Sequence, residues 1–337
     1  MNWKNYNYTS IALDSNIELI SWYSDIDDIV RLANGNQDYV VLGEGSNVVL
    51  WGDKLCLLKS NANMKVEYLK DKLIVHVTAG VLLSQLIDVL SRTDSYEIIY
   101  LSGIPGTVGG AIFQNSGAFN FCISQFIDKV ICWDSEQQKI IEFCKSDCEF
   151  SYRSSVFMKN ANRYLIISAT FISSNKLTHN MICINDKYIS LNLAIKKIKD
   201  MRVRKFPDPI KYPNSGSLFL PYFTKDNNCV NYLKGKGVAV INSEFGFKVP
   251  AGALIEKMGL KGAVICNKFC VSSKHANFLC NISEHSNSQD WFFAVKWLHD
   301  KIHEEYGVSL VTEVNVIGYN IPTEVGEICR IKEAIKL

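Results

Sequence analysis

The sequence predicts an α+β protein of two or three domains, and three observations carry that expectation. Strand and helix signals alternate through about the first 175 residues. At 337 residues the chain exceeds the usual size of one domain, roughly 100–200 residues. Pro207 and Pro209 stop a helical stretch and mark a boundary between segments, because proline removes a helix donor and clashes with the preceding turn.

In chain order, Ser10–Leu13 reads as a strand. Ser24 is the expected N-cap of a helix reaching Ala33, with Asp27 three residues on and Gly35 at its end. Tyr39–Leu42 and Val48–Leu50 read as strands flanking a turn at Gly43–Asn47. Lys72–Thr78 alternates apolar and polar residues as a strand does, and Gly80 separates it from Val81–Leu90, whose apolar residues recur at helical spacing. Phe126–Ile141 and Tyr164–Ile172 read as further strands, and His76 as a structural histidine. Leu191–Met201 is a basic amphipathic helix running into Arg202 and Lys205. Ala251–Met258 is a helix that Gly259 closes. Ser288–Tyr306 is a long helix with Trp291, Val295, Leu298 and Ile302 on one face and Gly307 as its stop, so Trp291 and Trp297 are expected in the core. Val308–Ile317 reads as a last strand, interrupted by Glu313.

Composition excludes several classes. Hydrophobic residues at 47% and charged residues at 21% belong to a folded chain rather than a disordered one. A net charge of +2, from 36 basic and 34 acidic residues, gives no electrostatic footprint for nucleic acid or a membrane surface, so any anion site is local. No apolar run reaches the roughly 18 residues of a membrane span, and the N-terminus shows no secretion pattern. The expectation is a cytoplasmic, monomeric protein with neither membrane nor nucleic-acid partner. Eleven cysteines, an odd number, are expected as reduced thiols. Cys144/Cys148 and Cys266/Cys270 lack zinc-site spacing, and no metal is expected.

The stretch Leu101–Phe119 packs five glycines and a proline among small and apolar residues. Gly106, Gly109, Gly110 and Gly117 lack the Cβ that would hold a ligand off, and N–H groups in such turns suit anionic oxygens. The reading is a phosphate-bearing cofactor; the alternative is a tight structural corner of a sheet. The turn Gly43–Asn47 supports the cofactor, although it is neither a Rossmann fingerprint, which needs a third glycine and a following helix, nor a Walker loop.

Three shorter stretches hold residues suited to chemistry: Arg153 in Ser151–Phe157, Ser217 after Gly216, and Glu313 in the last strand. Together with the two glycine turns, in this order and context, they resemble the arginine, serine and glutamate triplet and the FAD-binding elements of the UDP-N-acetylenolpyruvoylglucosamine reductase family. Ala251–Gly262 and Lys274–Phe278 are similar to further family segments, and the resemblance runs from about Asn7 to Gly318. It implies an FAD-binding fold of the PCMH type, like vanillyl-alcohol oxidase, with a two-part flavin domain and a C-terminal α+β substrate domain. The implied boundaries are 1–60 and 61–205 for the FAD-binding parts, 206–318 for the substrate-binding domain and 319–337 for a C-terminal tail.

The implied activity is NADPH-dependent, FAD-mediated reduction of UDP-N-acetylglucosamine enolpyruvate to UDP-N-acetylmuramate for peptidoglycan. FAD is then held by Gly43, Glu44, Gly45, Ser46, Asn47, Ile104, Pro105, Gly106, Thr107, Gly109, Gly110, Asn115, Gly117 and Ala118. Hydride arriving at C3 of the enolpyruvyl ether leaves negative charge at C2 and its carboxylate. Arg153, with Glu313 when it carries a proton, suits that charge, and Ser217 suits proton delivery to C2. Tyr152, Tyr188, Arg202 and Lys205 are the implied substrate-binding residues. Two departures stand out: Leu218–Tyr222 lacks an amide that family members carry after the serine, and Ala118-Phe119-Asn120 replaces alanine, tyrosine and glycine. The alternative they leave is a flavoprotein of the same fold acting on a different nucleotide sugar. A catalytically silent nucleotide-binding regulator is disfavoured because the triplet is intact.

Overall fold

The computed structural model describes residues 8–35, 37–174, 181–184 and 187–337, with backbone alone at 181–184 and 187–188. The chain forms two compact units that interleave in sequence. One takes the residues up to Asn16, Gly45–Asp53 and Val203–Ile331; the other takes Ile17–Glu44, Lys54–Arg202 and Lys332–Leu337.

Among the described residues, the second of these units holds a five-stranded and a four-stranded sheet beside two two-stranded ones. In the five-stranded sheet the order is Lys139–Cys144, Ile127–Asp134, Tyr164–Ser174, Lys72–Thr78, Met64–Leu69, and all neighbours are antiparallel. Leu73, Val75 and Val77 point inward at the period of two, and the apolar face of the helix Leu83–Leu90 (Leu83, Leu86, Ile87, Leu90) closes the same core. The four-stranded sheet runs Ile17–Tyr23, Leu55–Ser60, Asp38–Val41, Ile335–Lys336; the first three are parallel, and the helix Ile26–Ala33 connects two of them. The last strand comes from the chain terminus, where Ile335 and Leu337 are buried against Tyr39 and Leu58.

The other unit is built on the helix Ser288–Tyr306. Asn287 caps it and Asp290 closes the capping box, while Gly307, at φ +66°, ends it in the left-handed conformation that glycine adopts without strain. Trp291, Val295, Leu298 and Ile302 are buried against Val49, Trp51, Leu254 and Val316, and Trp297 packs half-buried on the same cluster. The strand Asn315–Gly318 lies parallel to Val48–Trp51, a pairing that folds the first glycine turn's second strand into this unit.

Four local expectations change. Ser10–Leu13 is a turn rather than a strand: Ile11 and Leu13 are held by side-chain burial, with Ser10 N–H bonded to Gly45 C=O. The first helix is capped by Asp25, whose carboxylate accepts from Asp28 N–H at 3.1 Å, while Ser24 N–H donates to Asp28. Phe126–Ile141 is a hairpin of two strands, because Gln138 adopts φ +51° and turns the chain. The strand expected over Val308–Ile317 begins only at Asn315, since Thr312 leaves the ladder: its Oγ1 donates to Val314 C=O and accepts from Arg330 N–H.

Candidate active site

In the unit holding Lys54–Arg202, the glycine stretch and the Ser151–Phe157 segment are knitted together. Thr107 caps the helix Val108–Phe113, its hydroxyl accepting from Gly110 N–H at 3.2 Å. Gly109 packs that helix onto the neighbouring strand end: a Cβ there would lie 2.6 Å from Ala79 Cβ and 3.0 Å from its carbonyl oxygen. At Gly117 a Cβ would meet Phe121 C=O at 2.4 Å and Cys122 Sγ at 2.7 Å. These two glycines therefore answer at least to the chain's own packing.

The open face lies elsewhere in the stretch. Gly103, Pro105 and Gly110 are exposed, and the nearest neighbour to a Cβ on Gly110 is Thr107 Oγ1 at 3.6 Å. Gly103 and Gly106 take φ +81° and +120°, and among the described residues the N–H groups of Gly103, Gly106 and Thr107 have no partner. A turn with spare N–H donors, at two glycines of positive φ, fits the pyrophosphate of a dinucleotide such as FAD. In the other turn, Gly43 faces the same segment, since a Cβ there would lie 2.7 Å from Thr107 Oγ1. Glu44 beside it is exposed.

Arg153 stands at the tip of a tight turn that Ser151 and Ser154 close by two reciprocal backbone bonds, and it adopts φ +52°. A non-glycine residue there is held against its preference. What holds it is the glycine stretch: Arg153 Nη2 donates to Gly117 C=O at 2.8 Å, and Asn115 Nδ2 donates to Ser151 C=O at 2.9 Å. Ser155 ties the segment to the Val108–Phe113 helix through Phe113 C=O. The Arg153 guanidinium lies 5.3 Å from the half-exposed Tyr152 ring.

Arg202 packs along Gly103, where a Cβ would come within 3.0 Å of its Cδ; burial, and then the Arg153 charge, hold its guanidinium below the ordinary value. Two guanidiniums that sense each other beside the glycine stretch make a strongly positive local field. The departure at Phe119-Asn120 is also explained. Gly117-Ala118 and Phe121-Cys122 form a small hairpin whose two loop residues have φ +55° and +67°, a turn in which asparagine is the usual substitute for glycine. Ala118 lies half-buried in it, and Phe119 and Phe121 both contact Tyr100, the latter stacked at 4.7 Å.

Ser217 and Glu313 belong to the other unit, on adjacent backbone segments. Glu313 N–H donates to Leu218 C=O at 2.8 Å, Leu220 N–H donates to Val311 C=O at 2.9 Å, and Phe219 bridges Thr312. Both side chains are half-exposed. Glu313 sits ahead of the strand Asn315–Gly318 in an irregular segment, not within the strand. Asn47 is bound to that segment: its Nδ2 donates to Glu313 C=O at 3.1 Å, and its own C=O accepts from Asn315 N–H. Ser46 C=O accepts from Ser10 Oγ, and Gly45, at φ +63°, abuts Tyr8 C=O so closely that no Cβ fits. The turn Gly43–Asn47 is thus divided between the two units after Glu44.

Lys205 ends the helix Leu191–Lys205 with its ammonium 5.7 Å from the Phe206 ring. Phe206 is in turn held by His275 and Phe278, at 5.4 and 5.1 Å. Lys274 donates to Val203 C=O at 3.0 Å at this helix end. The sequence alone gives Lys274–Phe278 no task. Tyr188 lies in the strand Lys187–Ser190, and its side chain is outside the described residues. Among the described residues no group of three or more His, Cys, Asp and Glu is placed to hold a metal ion, and no helix is long and apolar enough to cross a membrane. Burial pushes the Cys148, Cys280 and Cys329 thiols up to about 12, so they stay protonated at neutral pH.

Comparison with known proteins covers both halves of the chain. Residues 208–317 match the UDP-N-acetylenolpyruvoylglucosamine reductase C-terminal domain, and residues 21–135 match the FAD binding domain. The UDP-N-acetylenolpyruvoylglucosamine reductase of Clostridium novyi is 30% identical over 320 residues, covering 93% of this chain and 90% of the relative. That of Prochlorococcus marinus is 29% identical, covering 94% and 96%. Among solved structures, the UDP-N-acetylenolpyruvylglucosamine reductase of Thermus caldophilus superposes with a TM-score of 0.64 at 20% identity, over 92% of this chain and 95% of its own.

Proposed function

The chain belongs to the UDP-N-acetylenolpyruvoylglucosamine reductase family, and from that premise we propose how its own residues serve the reaction that membership gives it. The protein is an FAD-containing, NADPH-dependent oxidoreductase of the PCMH-type fold, and it reduces UDP-N-acetylglucosamine enolpyruvate to UDP-N-acetylmuramate in peptidoglycan precursor synthesis. Bound FAD supplies the relay of reducing equivalents from NADPH to C3 of the enolpyruvyl ether. Gly103, Gly106 and Thr107 offer N–H donors to its pyrophosphate, with Gly110 leaving room beside them.

Arg153 receives the negative charge that develops on the substrate carboxylate and C2. The observation that carries this role is its anchoring: Gly117 and Asn115 of the glycine stretch fix the strained turn that presents its guanidinium, so the charge is preorganised rather than recruited. Glu313, when it carries a proton, donates to the same developing charge, and Ser217 delivers the proton to C2. The backbone bond from Glu313 to Leu218 supports their joint action by fixing one beside the other. Arg202 and Lys205 draw the anionic ligands, Tyr152 lines the Arg153 turn, and Tyr188 contacts the uridine by resemblance.

The functional division runs at 1–60 and 61–205 for flavin binding, 206–318 for substrate and 319–337 for the tail, supported by the matched spans 21–135 and 208–317. The protein works in the cytoplasm as a monomer without nucleic-acid or membrane partners, a reading supported by the net charge of +2. The test is to purify the protein, record its visible spectrum, and measure NADPH oxidation with and without the enolpyruvyl substrate. The account expects a flavin spectrum, substrate-dependent oxidation and a product two hydrogens heavier. A flavoprotein that ignores this substrate would overturn the assignment.

A further inference from the structure

The hydrogen bonds around Ser217 point to a residue that no motif assigns to the reaction. On its N-terminal side the chain is loose in design: Gly216 takes φ +80°, a Cβ there would have 3.9 Å of clearance, and its N–H is held by the Asn214 side chain. On its C-terminal side the chain is gripped by Asn277. Asn277 Oδ1 accepts from Phe219 N–H at 3.0 Å, its Nδ2 donates to Phe219 C=O at 2.9 Å, and its backbone C=O accepts from Leu218 N–H at 2.8 Å. Three bonds from one residue thus hold the dipeptide that follows Ser217, beside those that Glu313 and Val311 make to this segment.

Asn277 is itself 7% exposed and has its N–H directed at His275 Nδ1. Its side-chain amide is spent on the Phe219 backbone. A primary amide on a one-carbon stem offers a donor and an acceptor together at the spacing of a peptide unit, as a strand neighbour would. Aspartate keeps the length but loses the donor and sets a carboxylate oxygen against Phe219 C=O.

We infer that Asn277 is a positioning residue for proton delivery: by clamping Leu218 and Phe219 it sets where the Ser217 hydroxyl stands. The inference rests on the reading of Ser217 as the proton donor. A general acid must sit within about 2.6–3.2 Å of the atom it protonates. A misplacement of about 1 Å costs on the order of 10²-fold in rate. Asn277 touches none of the reacting atoms, so its loss slows the proton step and spares steps that do not use Ser217.

The experiment uses the holoenzyme in four forms: parent, Asn277→Asp, Ser217→Ala and the double variant. Bleaching of the flavin by NADPH and its recovery with UDP-N-acetylglucosamine enolpyruvate are timed separately without oxygen, in H₂O and D₂O. Asn277→Asp is expected to bleach at the parent rate, recover about 10²-fold more slowly, and show a larger solvent isotope effect on recovery with little change in KM. The double variant is expected to recover no more slowly than Ser217→Ala alone. If Asn277→Asp does not fold, Asn277→Gln, which keeps both amide groups one methylene further out, is expected to show the same selective slowing. Parent-rate recovery in the Asn277 variant, or a full additional loss in the double variant, would overturn the inference. Bleaching and recovery that fall together with the melting temperature would overturn it too, by reducing Asn277 to a structural residue. Recovery of Ser217→Ala at the parent rate would instead remove the proton-donor reading itself, so the two failures are told apart.

Discussion

Gly109 and Gly110 are neighbours in one helix, and replacing each by alanine separates packing from cofactor binding. At Gly109 the new methyl would lie 2.6 Å from Ala79 Cβ and 3.0 Å from Ala79 C=O. That carbonyl cannot retreat without losing its 2.9 Å bond from Gly109 N–H. Overpacking of this kind costs about 1–3 kcal/mol. Alanine returns roughly 0.5–1 kcal/mol of helix preference, leaving Gly109→Ala destabilised by about 0–2.5 kcal/mol. Gly110→Ala meets nothing closer than 3.6 Å, so it keeps the helix gain of roughly 0.5–1 kcal/mol. Its methyl enters the face assigned to the pyrophosphate, and FAD affinity should fall about tenfold or more, equivalent to at least about 1.4 kcal/mol. Urea unfolding with and without saturating FAD, together with an FAD fluorescence titration, measures both quantities. Equal loss of stability in the two variants, or parent-like FAD affinity in Gly110→Ala, would refute the assignment of the open face.

Further outcomes are expected. Arg153→Ala and Glu313→Ala should leave flavin bleaching by NADPH near the parent rate and slow substrate reduction by about 10²-fold or more; rapid-mixing absorbance checks this, and parent-rate substrate reduction in either variant would remove that residue's role. Arg163 makes three bonds to Asp134, whose carboxylate is fully buried and also accepts from Glu136 and Gln137 N–H. Arg163→Met should therefore lower the urea midpoint, because it strips the guanidinium from this carboxylate and leaves it only its backbone donors. Burial, with Lys205 and Lys261 nearby and Glu256 opposing them, lowers the His275 pKa. Below about pH 6.5 the unfolded chain then binds a proton that the folded chain refuses, so stability falls as pH drops from there to the lowered folded value. Urea midpoints at pH 7.5 and 5.5 should show that loss in the parent and a smaller one in His275→Gln; equal losses would contradict it.

Elements governed by local chemistry were legible in the sequence. Ser288–Tyr306 has the predicted bounds because its cap and its stop are both encoded within a residue or two of its ends. Lys72–Thr78 was legible because one face is buried and the other is not. Ser10–Leu13 and Val308–Val314 misled, since their apolar residues serve a core without joining a ladder, and apolar content alone does not distinguish the two. The interleaving of units was hidden because it depends on a pairing between Val48–Trp51 and Asn315–Gly318, more than 260 residues apart. At the site, glycine content announced a special backbone but not which glycines face solvent; that depends on Ala79 and Phe121, remote in the pattern. Arg153, Ser217 and Glu313 are proposed through family resemblance alone, as no single one carries a local signature. The grip of Asn277 on Phe219 needed coordinates, because a buried asparagine leaves no periodic trace.

The central claim is that Ser217 delivers the proton to C2, and the Ser217→Ala holoenzyme tests it most directly. Parent and variant are each bleached with NADPH in the absence of oxygen and then mixed with UDP-N-acetylglucosamine enolpyruvate in a stopped-flow spectrometer. Loss of a positioned general acid costs about 10²–10⁴-fold, so both proteins should bleach at similar rates while only the parent regains its flavin absorbance quickly. Rapid recovery in both would reject Ser217 as the acid, and no recovery in the parent would contradict the assigned substrate, with Leu220, Pro221 and Tyr222 the first residues to re-examine.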